Sequence, residues 1–286
     1  MFFIKILFVL TGVSVLNLVF AEGAWAWGPA AHTIISCKIL EEAAQIAPVL
    51  SKILRSFPLE YLYGSLSADF FVGKGQKSKD GHSHNWDTGF RFLQEAKGDK
   101  DVAYAWGFLS HLAADIVAHN YFVPNLIQML PTGKRMGHLY WEAKADYAIG
   151  PAYMRMARDV LTMDHLGCDD LLRLAVGKRT NSLKARRHIF THTVKFNDFL
   201  NSQPLRFANK RLRYKISQVY LSAMIGLSAR LVSDILQNPE TSACFSFDPI
   251  GSKNLRLASR HVVLSKLFNI PRHNYQFTVD QELLEI

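Results

Sequence analysis

The sequence predicts an all-α protein folded as a single compact multi-helix domain. Apolar residues recur at spacings of three and four through most of the chain, as they do where one face of a helix packs into a core. Runs with the alternating pattern of strands are almost absent, and the segments between helical patterns are rich in Gly, Pro, Ser and Lys. With 49% hydrophobic and 20% charged residues, the composition is that of an ordinary globular protein.

The first 26 residues have the layout of a secretory signal peptide. A short start with one lysine precedes an apolar run over residues 6–20, and Ala24-Trp25-Ala26 follows as an A-x-A cleavage site. The alternative is an uncleaved membrane anchor, but the run is shorter than the roughly 18 residues that span a bilayer, and Asn17 interrupts it. We therefore expect cleavage after Ala26, a mature chain that begins with Trp27, and a secreted or periplasmic location.

The helical pattern then continues along the mature chain, residues 27–286. The predicted helices cover residues 30–47, 48–57, 86–96, 101–121, 139–163, 169–176, 182–200, 208–236 and, as a shorter element, 253–268. Residues 64–87 are predicted as a loop because Gly, Ser, Lys and Asp interrupt the pattern, and the last fifteen or so residues are predicted to be irregular.

The net charge and the cysteine content limit the partners and the kinds of metal site that we expect. The formal charge of +9 favours anionic partners such as phospholipid headgroups or nucleic acid, although a merely soluble basic protein has the same balance. The three cysteines are far apart and form no CxxC motif, which excludes a thiolate metal site of the usual spacing. The sequence allows one disulfide, for which Cys168 and Cys244 are the favoured pair.

Two polar stripes lie on otherwise apolar helices. His111, Asp115 and His119 are spaced i, i+4 and i+8, and so are His138, Glu142 and Asp146. A core does not tolerate unpartnered ionisable groups, and two such stripes can converge on one volume between their helices. Histidine with carboxylate and without cysteine is the ligand set of a hydrolytic metal centre, most often with zinc, whereas a structural polar network is the alternative.

Further candidate ligands lie outside these stripes. Asp69 falls in the predicted loop, followed by His82 and His84. Loops beside a helical scaffold often carry ligands, but taken alone these residues are better explained as a turn cap and solvated histidines. At the mature N-terminus, Trp27 precedes His32 by five positions. The free amine and first carbonyl of a chain can chelate a metal ion, and a nearby histidine can complete the set.

These residues resemble the ligands of the zinc-dependent phospholipase C family, part of a superfamily with the P1/S1 nucleases. The resemblance covers about residues 27–150 and implies a metal centre made by nine residues in the family order: Trp27, His32, Asp69, His84, His111, Asp115, His119, His138 and Glu142. His84 fits the family spacing better than His82. His119 follows Asp115 by four residues, whereas the family pattern has six, and the Trp-Gly-xxx-His start is closer to the nucleases than to the phospholipases.

The resemblance also implies a function. We expect a secreted phosphodiester hydrolase with about three zinc ions that cleaves glycerophospholipids to diacylglycerol and a phosphorylated headgroup, with Asp69 as ligand or general base. Phospholipid or another phosphodiester is the expected substrate, together with peripheral contact to a membrane. A single-strand nuclease acting on nucleic acid and a non-catalytic zinc-binding protein are the alternatives.

Overall fold

The computed structural model describes residues 27–71, 83–129, 134–176, 180–200, 216–268 and 276–286. These residues form helices joined by short turns, with no strand among them, so the all-α prediction is confirmed. The predicted signal peptide and its cleavage site lie outside the described residues and stay predictions.

The helices are numbered here in chain order. They are α1 (Pro29–Glu41), α2 (Pro48–Ser56), α3 (Pro58–Ser67), α4 (Trp86–Glu95), α5 (Asp99–Val117), α6 (Val123–Ile127), α7 (Lys134–Ile149), α8 (Pro151–Thr162), α9 (Leu166–Val176), α10 (Thr180–Leu200), α11 (Gln218–Gln237), α12 (Ser252–Phe268) and α13 (Gln281–Leu284). Short 3₁₀ turns cover Ala43–Gln45, Ala68–Phe71 and Ala243–Ser246, and a π-helical turn, Ala118–Phe122, joins α5 to α6.

Several sequence-based boundaries were wrong. The first part of the predicted loop, from residue 64 to residue 71, is helical, because it continues α3 and the 3₁₀ turn after it. The long helix predicted over residues 139–163 is interrupted at Gly150, whose φ of 112° ends α7 before Pro151 begins α8. The first helix ends at Glu41 rather than at residue 47. Among the described residues, the helix predicted over residues 208–236 begins only at Gln218, and the end of the chain, predicted to be irregular, contains the short helix α13.

The disulfide favoured from the sequence is also wrong. Cys37, Cys168 and Cys244 are all free thiols in the structure. Cys168 and Cys244 are buried, and burial raises the pKa of each thiol to about 12. Both therefore behave as small apolar side chains of the core.

Helix α5 is the centre of the fold, and its side chains are buried from Ala103 to Val117. It packs against α3, α4 and α11. Its contact with α3 is very close, because Gly64 and Gly107 face the partner backbone. A Cβ at Gly64 would meet the Tyr104 carbonyl oxygen at 2.1 Å, and one at Gly107 would meet that of Tyr61 at 2.0 Å. Only glycine permits this crossing.

Helix α11 is long and apolar enough to span a membrane by length and composition alone. It packs, however, on α5 and α1, and its Ser228 hydroxyl accepts a hydrogen bond from the indole of Trp27 at 3.0 Å. These contacts are those of a core helix.

Candidate metal centre

Asp115 lies at the centre of a buried cluster of histidines. Its Oδ2 is 3.2 Å from Nε2 of His111 and 3.8 Å from Nδ1 of His119, the two residues one turn away on either side. All three side chains are 0 to 1% exposed. The first polar stripe therefore faces the interior, as the sequence predicted, and surrounds one carboxylate with imidazoles.

The close crossing of α3 and α5 orients His111. The Ser65 carbonyl oxygen lies 2.8 Å from Nδ1 of His111. A carbonyl oxygen can only accept a hydrogen bond, so Nδ1 carries the proton and donates it. Nε2 of His111 is thereby aimed at the carboxylates, the arrangement that a metal-binding histidine normally has.

Asp69 and His84 approach from the segment between α3 and α4. Nε2 of His84 is 3.5 Å from Oδ1 of Asp69, 3.5 Å from Oδ2 of Asp115 and 3.1 Å from Nε2 of His111. Asp69 is on the 3₁₀ turn after α3 and is 4% exposed, so its assignment to a loop was wrong. His82, the alternative to His84, lies outside the described residues.

His32 completes this part of the cluster from α1. Its ring stacks on that of His111 with centroids 3.9 Å apart, and its Nε2 lies 3.4 Å from Oδ1 of Asp115. Among the described residues, two overlapping groups bring three possible ligand atoms within 4.8 Å of one another: His32, Asp69 and His111, and His84, His111 and Asp115.

Trp27 is fixed beside this cluster by its side chain. The fully buried indole donates to the Ala114 carbonyl oxygen at 3.1 Å and to the Ser228 hydroxyl, and it packs on Phe122. Ala114 directly precedes Asp115, so the Trp27 indole contacts the backbone beside the residue that carries the central carboxylate. Chelation by the Trp27 amine stays a prediction.

The second stripe meets His119 at the edge of the cluster. The rings of His119 and His138 are 5.4 Å apart, and Nε2 of His138 lies 3.1 Å from Oε1 of Glu142. His119 is in the π-helical turn that follows α5, and its Nδ1 donates to the Pro249 carbonyl oxygen at 2.5 Å. The wider π turn changes the direction of the side chains after Asp115. The four-residue spacing between Asp115 and His119 therefore falls on a distorted helix and not on a regular one.

The buried histidines of the cluster differ in the direction of their pKa shifts. Burial acts to lower the pKa of His111, but the Asp115 and Asp69 carboxylates outweigh it and raise that pKa to about 9. The pKa values of His32 and His119 are lowered, mainly by burial. Burial opposes the charge of Asp115, yet His111 and His119 hold the pKa of that carboxyl well below its ordinary value.

Glu142 has the opposite shift. Its burial, together with the nearby charges of Asp69 and Asp115, raises the pKa of its carboxyl well above the ordinary range. An ionised carboxylate buried beside other carboxylates costs free energy unless a cation neutralises the charge.

Several buried atoms of the cluster make no hydrogen bond. They are both ring nitrogens of His32, both carboxylate oxygens of Asp115, Nε2 of His119 and Oε1 of Glu142. Native interiors rarely leave polar atoms unsatisfied, and such a concentration requires an explanation. Nitrogen lone pairs and carboxylate oxygens directed at one another are the donor set that zinc prefers. The residues present therefore fit a metal centre.

Sequence reasoning missed the residues that hold this cluster in place. Asp146 of α7 accepts a hydrogen bond from the Ala31 amide at 3.1 Å, and a Cβ at Gly28 would meet its carboxylate at 2.2 Å. Asp146 belongs to the second polar stripe, but it was not assigned a role in the metal centre. The carbonyl oxygens of Ser65 and Pro249 carry no side-chain signal, so no pattern could have identified them.

Comparison with known proteins supports the same chemistry. Residues 31–172 match the model of a protein family described as zinc dependent phospholipase C, which confirms the resemblance. Comparisons with curated proteins and with solved structures find no match. The matched range contains all the proposed ligands except Trp27.

Proposed function

We propose that this chain, of which residues 31–172 match the zinc dependent phospholipase C family, is a secreted phosphodiester hydrolase that cleaves glycerophospholipids to diacylglycerol and a phosphorylated headgroup. The family implies a zinc-dependent hydrolase. The observation that carries the proposal is the buried carboxylate of Asp115, which lies within 4 Å of four histidines while both its oxygens lack a hydrogen bond.

The ligands divide by their contacts. His84, His111 and Asp115 would hold one ion, in agreement with the tight group that they form. Trp27 and His32 would hold another with Asp115 shared between the two, and His119, His138 and Glu142 would hold a third. Zinc bound there would activate water and neutralise the charge of a phosphodiester.

Asp69 is the proposed catalytic base. Its Oδ1 lies 3.5 and 3.7 Å from Nε2 of His84 and of His111, so it faces the ligand atoms rather than solvent. From this position its carboxylate can accept a proton from an attacking water and orient that water towards phosphorus. The other residues of the cluster would balance the charge of the bound groups and fix their orientation. The apolar residues around α5 exclude bulk water.

The test uses the mature chain, residues 27–286, expressed with zinc. We expect elemental analysis to find about three zinc ions per chain, and hydrolysis of a chromogenic phosphocholine diester. Asp69→Asn should lower turnover about 10²- to 10⁴-fold with little loss of zinc, whereas His111→Ala should lose zinc and activity together. The matched control is Asp170→Asn, since that carboxylate is exposed on α9.

Each alternative has its own outcome. Hydrolysis of single-stranded DNA in preference to the diester would favour a nuclease. Zinc binding without turnover on either substrate would favour a non-catalytic protein, and absence of zinc from the folded chain would refute the metal centre.

A further inference from the structure

Helix α12 presents one exposed face of unusual composition. Lys253, Arg256 and Arg260 lie along its first half at spacings of three and four, and all three are exposed. The same face continues as apolar side chains over the second half: Val263, Leu264, Leu267 and Phe268. Leu267 and Phe268 are 71% and 67% exposed. The helix contains no Asp or Glu.

The opposite face fixes α12 to the core. Leu255, Ala258 and Val262 are buried in it. The exposed apolar residues are therefore not displaced core residues, since the helix already has a packed face of its own. An amphipathic helix with cations beside apolar side chains is the kind that lies in the interface of an anionic membrane.

The start of α12 is attached to the proposed metal centre. Gly251, just before the helix, has a φ of 60° and lies so close to His119 that a Cβ would meet its carbonyl oxygen at 2.4 Å. The side chain of Asn254 donates to the Asn120 carbonyl oxygen at 2.9 Å. A helix of 17 residues is about 25 Å long. A surface bound along it would therefore lie within one helix length of His119.

We propose that this face of α12 docks the protein onto bilayers that contain anionic phospholipid. The cations match a negative lipid surface, and the four apolar side chains enter the interface beside them. A second copy of the chain is a poorer occupant, because three cations of one face would meet the like charges of a chain with a formal charge of +9. The assignment rests on the proposed function only in that the phospholipid substrate would be in that bilayer.

The experiment measures retention of the mature chain on vesicles of phosphatidylcholine alone and of phosphatidylcholine with phosphatidylglycerol. We expect retention on the anionic vesicles in dilute buffer and much less at high salt. Leu267→Ser with Phe268→Ser, and separately Arg256→Ser with Arg260→Ser, should each weaken retention about tenfold.

The chain offers matched controls for both variants. Leu166→Ser removes a side chain that is 64% exposed on α9, and Lys52→Ser with Arg55→Ser removes two exposed cations from α2. Both controls should bind vesicles like the parent chain. If both α12 variants are retained like the parent, or if the controls lose as much, the docking face is wrong.

Hydrolysis of the soluble diester separates this inference from the proposed function. The α12 variants should keep the parent rate, since none of the substituted residues belongs to the proposed metal centre. Vesicle binding that depends on α12 in a chain without hydrolysis would support the docking face and refute the proposed function. A dimer in light scattering that dissociates in the Leu267→Ser, Phe268→Ser variant would assign the face to self-association and overturn the proposal.

Discussion

The Ser65 carbonyl oxygen accepts a hydrogen bond from Nδ1 of His111 across the crossing of α3 and α5. The bond exists because Gly64 and Gly107 let the two backbones approach, so the metal centre depends on two residues that contribute no side chain to it. The direction of His111 is thus a property of helix packing as well as of its own rotamer.

The first prediction concerns this crossing. In Gly107→Ala the new Cβ would lie 2.0 Å from the Tyr61 carbonyl oxygen, and backbone cannot move aside as a side chain does. We expect a loss of about 1–3 kcal/mol in the free energy of unfolding and weaker zinc binding, measured by urea denaturation and metal competition. Gly226→Ala in α11 is the control, because nothing lies within 4 Å of its Cβ position. It should be neutral or stabilise by up to about 1 kcal/mol. Equal unfolding midpoints for the two variants would contradict the prediction.

The second prediction concerns protons. His111, with a pKa of about 9, and Glu142, with a raised pKa, must both lose a proton to bind zinc. The apparent zinc affinity should therefore rise with pH up to about 9, with proton release detected by calorimetry in buffers of different ionisation enthalpy.

The free energy of unfolding of the zinc-free protein should instead fall as the pH rises. The pKa of His111 is higher in the folded chain than its ordinary value of 6.5, so its charge stabilises the fold below pH 6.5. That contribution is lost as the pH rises through about 9, and the increase in Tm produced by zinc should grow over the same window. His188→Gln, at an exposed position of α10, should leave both trends unchanged. Zinc binding without proton release in this range would show that the two groups are not ligands.

The third prediction assigns a positioning role to Asp146. Its carboxylate accepts the Ala31 amide and lies against Gly28, so it ties the start of α1 to the helix that carries His138 and Glu142. Asp146→Ala should release the Trp27–His32 segment and lower the zinc content by about one ion per chain. Asp146→Asn keeps the acceptor oxygen and should restore the parent content. Loss of zinc in both variants would point to a requirement for the charge instead.

The fourth prediction concerns the mature N-terminus. If the Trp27 amine binds zinc, one extra Ala before Trp27 converts it into an amide, whose proton zinc does not normally displace. The extended chain should then hold less zinc and hydrolyse the diester more slowly, although the buried indole still anchors residue 27. The chain with an authentic Trp27 start is the control, and equal zinc content with equal turnover would exclude the terminal amine as a ligand.

The polar stripes could be read from the sequence because helical geometry relates i, i+4 and i+8 directly. His111 and Asp115 are one turn apart in any helix, and the apolar residues around them require burial. The π-helical turn at His119 could not be predicted, since its side chain is directed by the carbonyl oxygen of Pro249, 130 residues further along.

The error at α3 has a related cause. Gly64, Ser65 and Ser67 are typical of turns, and in isolation they weaken a helix. In the fold, small residues are what the crossing with α5 requires, so tertiary packing outweighs local preference. That segment carries the Ser65 carbonyl and positions Asp69. Because its composition is typical of a turn, the sequence did not identify it as a helix that supports the site.

The anchors of Trp27 and His119 also bear on where this molecule could be divided. The family match ends at residue 172, yet the indole of Trp27 depends on Ser228 of α11, and His119 on Pro249 before α12. A fragment of residues 27–172 would contain all nine proposed ligands but neither of these partners. It would not be an autonomous module. In limited proteolysis, cleavage after residue 172 should release metal from the amino-terminal piece, because the recognisable half of the protein is structurally incomplete without the unmatched one.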